Sequence, residues 1–178
     1  SNWPPRAWLI EPVGGANPAG TPRPQDPLDP MLDLATTVLA TRAAATEHGC
    51  VATIGKIRVE PNGVNAIASR VTAWLDARGP AEEGVRAVVE TAASQSPAGA
   101  VEESWTPATV FDVSLAQRLS ALLDDAPMLA TGAGHDAGVL ATAGASTAML
   151  FVRNPTGISP SPAELAARED CHRGGDAL

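Results

Sequence analysis

The sequence predicts an α+β protein, an α/β sandwich whose first part is a split β-α-β-β-α-β unit with an antiparallel sheet and whose second part is an αβα fragment. Three observations predict it. Two runs, Ile57 to Glu60 and Arg70 to Arg78, alternate apolar and polar residues with the period of a half-buried strand. Two other runs, from Met31 and from Val85, carry apolar residues at helical spacing. After about Thr106 the pattern changes to short helical runs around one continuous apolar segment, Ser146 to Val152.

The elements follow in order. Trp8 to Val13 is apolar and ends at Gly14-Gly15, which predicts a strand. Pro18 to Pro30 holds five prolines and excludes regular structure. Met31, Leu34, Ala35, Val38 and Leu39 then line one face of a helix that should stop near Gly49. Val51 to Glu60 reads as a strand, Pro61-Asn62-Gly63 as a turn and Arg70 to Arg78 as a second strand. On that strand Val71, Ala73, Leu75 and Ala77 form the buried side, while Thr72, Trp74, Asp76 and Arg78 form the polar side. Pro80 and Glu82-Glu83 suit a helix start, through the fixed φ of proline and the positive end of the helix dipole. Val85, Val88, Val89 and Ala92 make its apolar stripe, and Ala100 to Trp105 is a further strand.

In the second part, Leu115, Leu119, Leu122 and Leu123 predict a helix, Leu129 to Ala137 a loop around His135-Asp136, and Val139 to Ala143 another helix. Ser146 to Val152 reads as a strand buried on both faces. Asn154 to Pro162 reads as a loop and Pro162 to Cys171 as a last helix, with a loose tail from Arg173. The expected division is a first domain over residues 1–106 and a second over 107–178.

Composition limits the function classes. The 178 residues carry a net charge of −8, which disfavours nucleic acid and anionic membranes as partners. No apolar run is long enough to span a bilayer. With no signal-like start and two cysteines, Cys50 and Cys171, outside any metal-ligand spacing, the expectation is a cytoplasmic protein with reduced thiols. The first residues, Ser1-Asn2-Trp3, read as a remnant either of processing or of recombinant expression. The three histidines, His48, His135 and His172, are not paired at ligand spacing. Neither a phosphate loop nor a Gly-x-Ser-x-Gly elbow is present. From the residues alone, Arg78 is a solvated strand end beside Asp76, Asn65 a turn residue and His135 a loop histidine bonded to backbone. Antiparallel sheets with a free edge also favour pairing of two copies into a homodimer.

Four segments, in order, carry a resemblance: Gly14 to Thr21, Pro61-Asn-Gly-Val-Asn-Ala-Ile-Ala-Ser-Arg-Val-Thr-Ala-Trp-Leu-Asp-Ala-Arg78, Thr131-Gly-Ala-Gly-His-Asp-Ala137, and Met149 to Glu164. The sequence resembles the hydantoinase/carbamoylase family of dinuclear-metal amidohydrolases, which includes N-carbamoyl-L-amino acid hydrolase, allantoate amidohydrolase and β-alanine synthase. The resemblance implies a lid that also dimerises, followed by the C-terminal part of a catalytic domain. It implies that Arg78 grips a substrate carboxylate, and that Asn65 and His135 contact substrate. The family uses two divalent metals, zinc or manganese, to make a nucleophile from water.

The departures from the family are specific. The family's lid histidine, which stabilises the developing oxyanion, is replaced by Pro18 in Asn17-Pro-Ala-Gly-Thr-Pro22. A metal-ligating histidine is replaced by Pro160 in Gly157-Ile-Ser-Pro-Ser-Pro-Ala-Glu164. Proline has no side-chain donor or acceptor. The remaining metal ligands belong to a family segment outside this sequence. No catalytic residue and no metal or other cofactor is therefore expected in this chain. Three readings stay open: a truncated or degenerate relative that self-associates through its lid, one component of a split hydrolase completed by a separate metal-bearing subunit, and a module that binds a small carboxylate ligand.

Overall fold

The computed structural model describes residues 5–12, 17–18 and 29–178. The elements, in chain order, are β1 (Arg6–Ile10), β2 (Asn17–Pro18), α1 (Pro30–Glu47), β3 (Val51–Glu60), β4 (Ala66–Ile67), β5 (Arg70–Arg78), α2 (Glu82–Ser94), β6 (Ala100–Ser104), α3 (Val113–Leu122), α4 (Asp136–Thr142) and α5 (Arg168–Asp176). The chain divides into two compact units: residues 1–108 with 130–134, and residues 109–129 with 135–178.

In the first unit the sheet order is β3-β5-β1-β6, with β1 antiparallel to both neighbours and β3 antiparallel to β5. Two helices, α1 and α2, cover one face, which is the α+β arrangement that the two strand-like and two helix-like runs predict. β3 and β5 have the predicted bounds, and Val71, Ala73, Leu75 and Ala77 are the buried side of β5. Trp8, Ile10, Ala44, Ala45, Leu75, Ala77, Val85, Val88 and Ala92 make the main core cluster. Leu34, Ala68, Val71 and Ala73 make a smaller one. β1 starts at Arg6, two residues before the predicted Trp8, and ends at Ile10 rather than Val13, which lies outside the described residues. Pro12 has no N–H for the ladder, and its carbonyl instead accepts a hydrogen bond from Val71 N at 3.2 Å. Asn17–Pro18 pairs with Ala66–Ile67 as a two-residue ladder. The rest of the expected irregular segment, residues 19–28, lies outside the described residues, as do the flanking residues of the Gly14 to Thr21 motif.

The buried face of α1 differs from the predicted one. Its inward residues are Pro30, Leu34, Thr37, Thr41, Ala44 and Ala45. Of the expected stripe only Leu34 is buried, whereas Met31, Val38 and Leu39 are 40%, 39% and 72% exposed. Small and β-branched residues bring α1 close to the sheet, and the Thr37 hydroxyl is satisfied by donating to Asp33 O at 2.8 Å. The helix is thus apolar on both faces. Asp29 caps its start by accepting from Met31 N, and Gly49, with φ +61°, follows its end as predicted.

The second unit is sparsely packed. Ala137 and Thr147 are buried, whereas α3 and α5 bury no residue. Ser146 to Val152 is not a strand: no described strand pairs with it, and Phe151 and Val152 are 50% and 42% exposed. An apolar run becomes a strand only where a neighbour takes its backbone hydrogen bonds. Its start is instead held against the N-terminus of α3, through Asp112 N donating to Thr147 O at 3.1 Å and Ser146 Oγ donating to Asp112. The last helix is Arg168–Asp176 rather than Pro162 to Cys171, and the expected loose tail from Arg173 is helical to Asp176. Pro162 initiates a short turn, in which Glu164 N bonds Ser161 O, before the chain reaches the acidic helix start Glu169-Asp170. No described helix is long and apolar enough to cross a membrane.

Candidate functional site

The face of the sheet opposite the helices carries the polar residues of β5. Side chains alternate across a strand, so burying Val71, Ala73, Leu75 and Ala77 turns Trp74, Asp76 and Arg78 to the open face. There they line an open depression of about 530 Å3 together with Ala7, Val51, Thr53, Gly55, Lys56 and Gly132.

Arg78 is tightly placed. Its Nε donates to Asp76 Oδ1 at 2.7 Å and its Nη2 to Asp76 Oδ2 at 3.2 Å, a two-bond fork on one carboxylate. Its Nη1 donates to Gly132 O at 3.1 Å. A guanidinium has five N–H groups. Three are used here, which leaves one on each terminal nitrogen for a ligand oxygen. The side chains of Arg78 and Asp76 are 34% and 35% exposed, so a solute reaches the pair from solvent.

Lys56 and Trp74 form the other wall. Lys56 Nζ lies 3.9 Å from the Trp74 ring centroid, a cation–π contact between directly paired positions of β3 and β5. The indole N–H donates to Glu103 Oε1 at 3.3 Å, which fixes the ring orientation. Sequence reasoning placed Trp74 on the polar side of β5 but missed Lys56. The register shift between Ile54 and Lys56 decides that pairing, and no sequence signal announces it.

The other two expected contact residues, Asn65 and His135, are not among the residues that line the depression. Asn65 is exposed in the turn before β4, near the end of the hairpin where Glu60 pairs with Arg70. Arg78 is at the opposite end, where it pairs with Val51, and β5 between them is about 26 Å long. His135 belongs to the second unit and caps α4, its Nδ1 accepting from Ala137 N at 3.0 Å. Pro18 pairs through its backbone with Ala66, and Pro160 is exposed.

These residues do not fit a dinuclear metal centre. No group of three or more His, Cys, Asp or Glu converges among the described residues. One ring nitrogen of His135 is engaged in capping, and His172 Nε2 accepts from Arg168 Nε at 3.3 Å.

Two ionisable groups are displaced from their ordinary ranges. Burial pushes the Cys50 thiol up, against a smaller opposing effect of the Arg6 charge. Asp112 is held down to about 2 by the hydrogen bond from Ser146, then by those from Leu115 N and Ser114. Neither residue lines the depression.

No protein-family model matches the chain. An N-carbamoyl-L-amino acid amidohydrolase of Geobacillus stearothermophilus is 32% identical over 164 residues, 84% of this chain and 40% of that protein. An allantoate deiminase of Arabidopsis thaliana is 30% identical over 152 residues, 74% of this chain and 29% of that protein. The crystal structure of a hydantoinase/carbamoylase-family amidase from Burkholderia vietnamiensis matches 98% of this chain and 46% of its own, at 27% identity and a TM-score of 0.85. The chain therefore spans less than half the length of each of these relatives. Over that span the match in sequence and in fold agrees with the four ordered motifs, and the chain belongs to the hydantoinase/carbamoylase family of amidohydrolases.

Proposed function

We propose that this chain is a carbamoylase-family relative that binds a small carboxylate ligand at Arg78 and does not carry out metal-dependent hydrolysis by itself. The observation that carries this reading is the Arg78 guanidinium, braced by Asp76 and Gly132 with two N–H groups still available at an open depression. Bracing removes the rotamer entropy that a free arginine loses on binding, so the ligand contact costs less. The N-carbamoyl amino acids named for the relatives supply the ligand class: a carboxylate beside a ureido group.

Loss of hydrolysis rests on Pro18 and Pro160. Hydrolysing a ureido C–N bond at neutral pH needs an activated water and a donor for the developing oxyanion. Proline supplies neither a ligand nor a donor. Removing one oxyanion donor alone slows such reactions about a hundred- to thousandfold. The test is calorimetric titration with N-carbamoyl-L-alanine. Binding by the wild type that disappears in Arg78→Ala supports the reading, and equal or absent heats refute it.

Self-association through the first unit completes the proposal. The outward face of α1 presents Leu32 and Leu39, 67% and 72% exposed, and the edge strand β3 presents Val51 and Ile57, 59% and 48% exposed. A homodimer through these surfaces would cover an apolar helix face and an open sheet edge together.

A second reading has its own observation. Ser146 to Val152 is apolar, belongs to no helix and is unpaired by any described strand. Such a segment suits a split hydrolase in which a separate metal-bearing subunit supplies the neighbouring strands. A gain of carbamoyl hydrolysis on mixing with that subunit would establish it, and no gain would remove it.

A further inference from the structure

Lys56 has no ion-pair partner among the described residues, yet it lines the same depression as Arg78. The two cations differ in their compensation. Arg78 shares its charge with the Asp76 fork, while Lys56 rests its ammonium on the face of Trp74. A π face offers partial stabilisation and no hydrogen-bond acceptor of ordinary strength, so the three Lys56 N–H donors remain open to solvent or to an anion. Trp74 lies four residues before Arg78 on the same face of β5, about 13 Å along the strand. Two long side chains based that far apart can converge on opposite ends of one small molecule. Asp76 and Thr53, directly paired, line the depression between them.

We propose that Lys56, seated on Trp74, is the specificity-determining residue of this site, and that it selects a ligand with a second anionic group. One carboxylate would sit on the free N–H groups of Arg78 and the side-chain carboxylate on Lys56, with the ligand's methylenes against the indole. The ligand class is then the N-carbamoyl derivative of an acidic amino acid. This proposal rests on the reading of Arg78 as a carboxylate grip.

The test compares N-carbamoyl-L-glutamate with its neutral isostere N-carbamoyl-L-glutamine by calorimetric titration at low ionic strength. Wild type should bind the glutamate derivative several-fold more tightly, the scale of one partly exposed ion pair, and added salt should shrink the ratio. Lys56→Met keeps the aliphatic stem on Trp74 and removes the charge. It should bind both ligands with equal affinity, close to that of the wild type for the glutamine derivative. Equal affinities in the wild type, or a preference that survives Lys56→Met, overturn the role of Lys56 and leave Arg78 untouched. No heat with either ligand overturns the Arg78 reading, and the Lys56 proposal falls with it.

Discussion

At the residue scale, the charge of Arg78 matters less than the geometry of its fork. A lysine at this position would keep one positive charge but could not hold the Asp76 carboxylate with two parallel bonds and still offer a second pair. Arg78→Lys should therefore weaken carboxylate binding about tenfold or more, the scale of one charge-assisted hydrogen bond, read by titration; unchanged affinity would show that charge alone acts there. The two thiols should also separate. Cys171 is exposed, while Cys50 is partly buried with its thiol pushed up by that burial. Near pH 8, iodoacetamide should label Cys171 well before Cys50, followed by peptide mass spectrometry, and equal rates would contradict the placement of Cys50. Of the ligand contacts expected from the resemblance, Arg78 is the one the structure puts in the depression. Arg78 does stand beside Asp76, as the residues alone suggest, and the fork that pairs them orients the guanidinium. Lys56 could not be read in advance, because it meets Trp74 only through a cross-strand pairing with a register shift.

At the scale of elements, period decides what a sequence reveals. β3 and β5 were legible because alternation flips each residue to a definite face, and Val71 to Ala77 then had one possible inside. The face of α1 was not legible. Leucine and valine on one side compete with Thr37, Thr41, Ala44 and Ala45 on the other, and packing chose the small side chains that permit close approach. Ser146 to Val152 shows the same limit: an apolar run specifies burial, but strand pairing needs a partner that no local pattern supplies. The core makes a quantitative prediction. Ile10, on β1, is fully buried in the main cluster, so Ile10→Ala should destabilise the first unit by about 2–5 kcal/mol in a denaturant melt. In the second unit, Asp112 caps α3 and receives Ser146 and Ser114 hydroxyls, and its pKa is lowered to about 2. A depressed carboxylate contributes stability that is complete above its unfolded value and disappears as the pH falls through the folded value. Loss should therefore run from about pH 4 down to about 2. Asp112→Asn should remove that acid dependence in hydrogen exchange of α3 amides, whereas an unchanged profile would show that the cap does not couple to protonation.

At the scale of the whole molecule, the chain holds one well-packed unit and one thinly packed unit, and it matches under half the length of its relatives. The first unit presents apolar residues on α1 and an open β3 edge. Light scattering should accordingly give twice the monomer mass, and Leu39→Lys, a substitution at an exposed position, should shift the equilibrium towards monomer without changing the circular dichroism. A monomer at every working concentration would refute self-association. On the proposed function, the carbamoylase-family framework of this chain serves binding and not metal-dependent hydrolysis. The most direct test is the metal content of the purified protein, determined by elemental mass spectrometry after incubation with zinc and manganese and gel filtration. No stoichiometric metal should remain, because Pro160 cannot ligate and no group of three or more His, Cys, Asp or Glu converges among the described residues. Retention of one or two zinc or manganese ions per chain would contradict it and return the chain to the working hydrolases of its family.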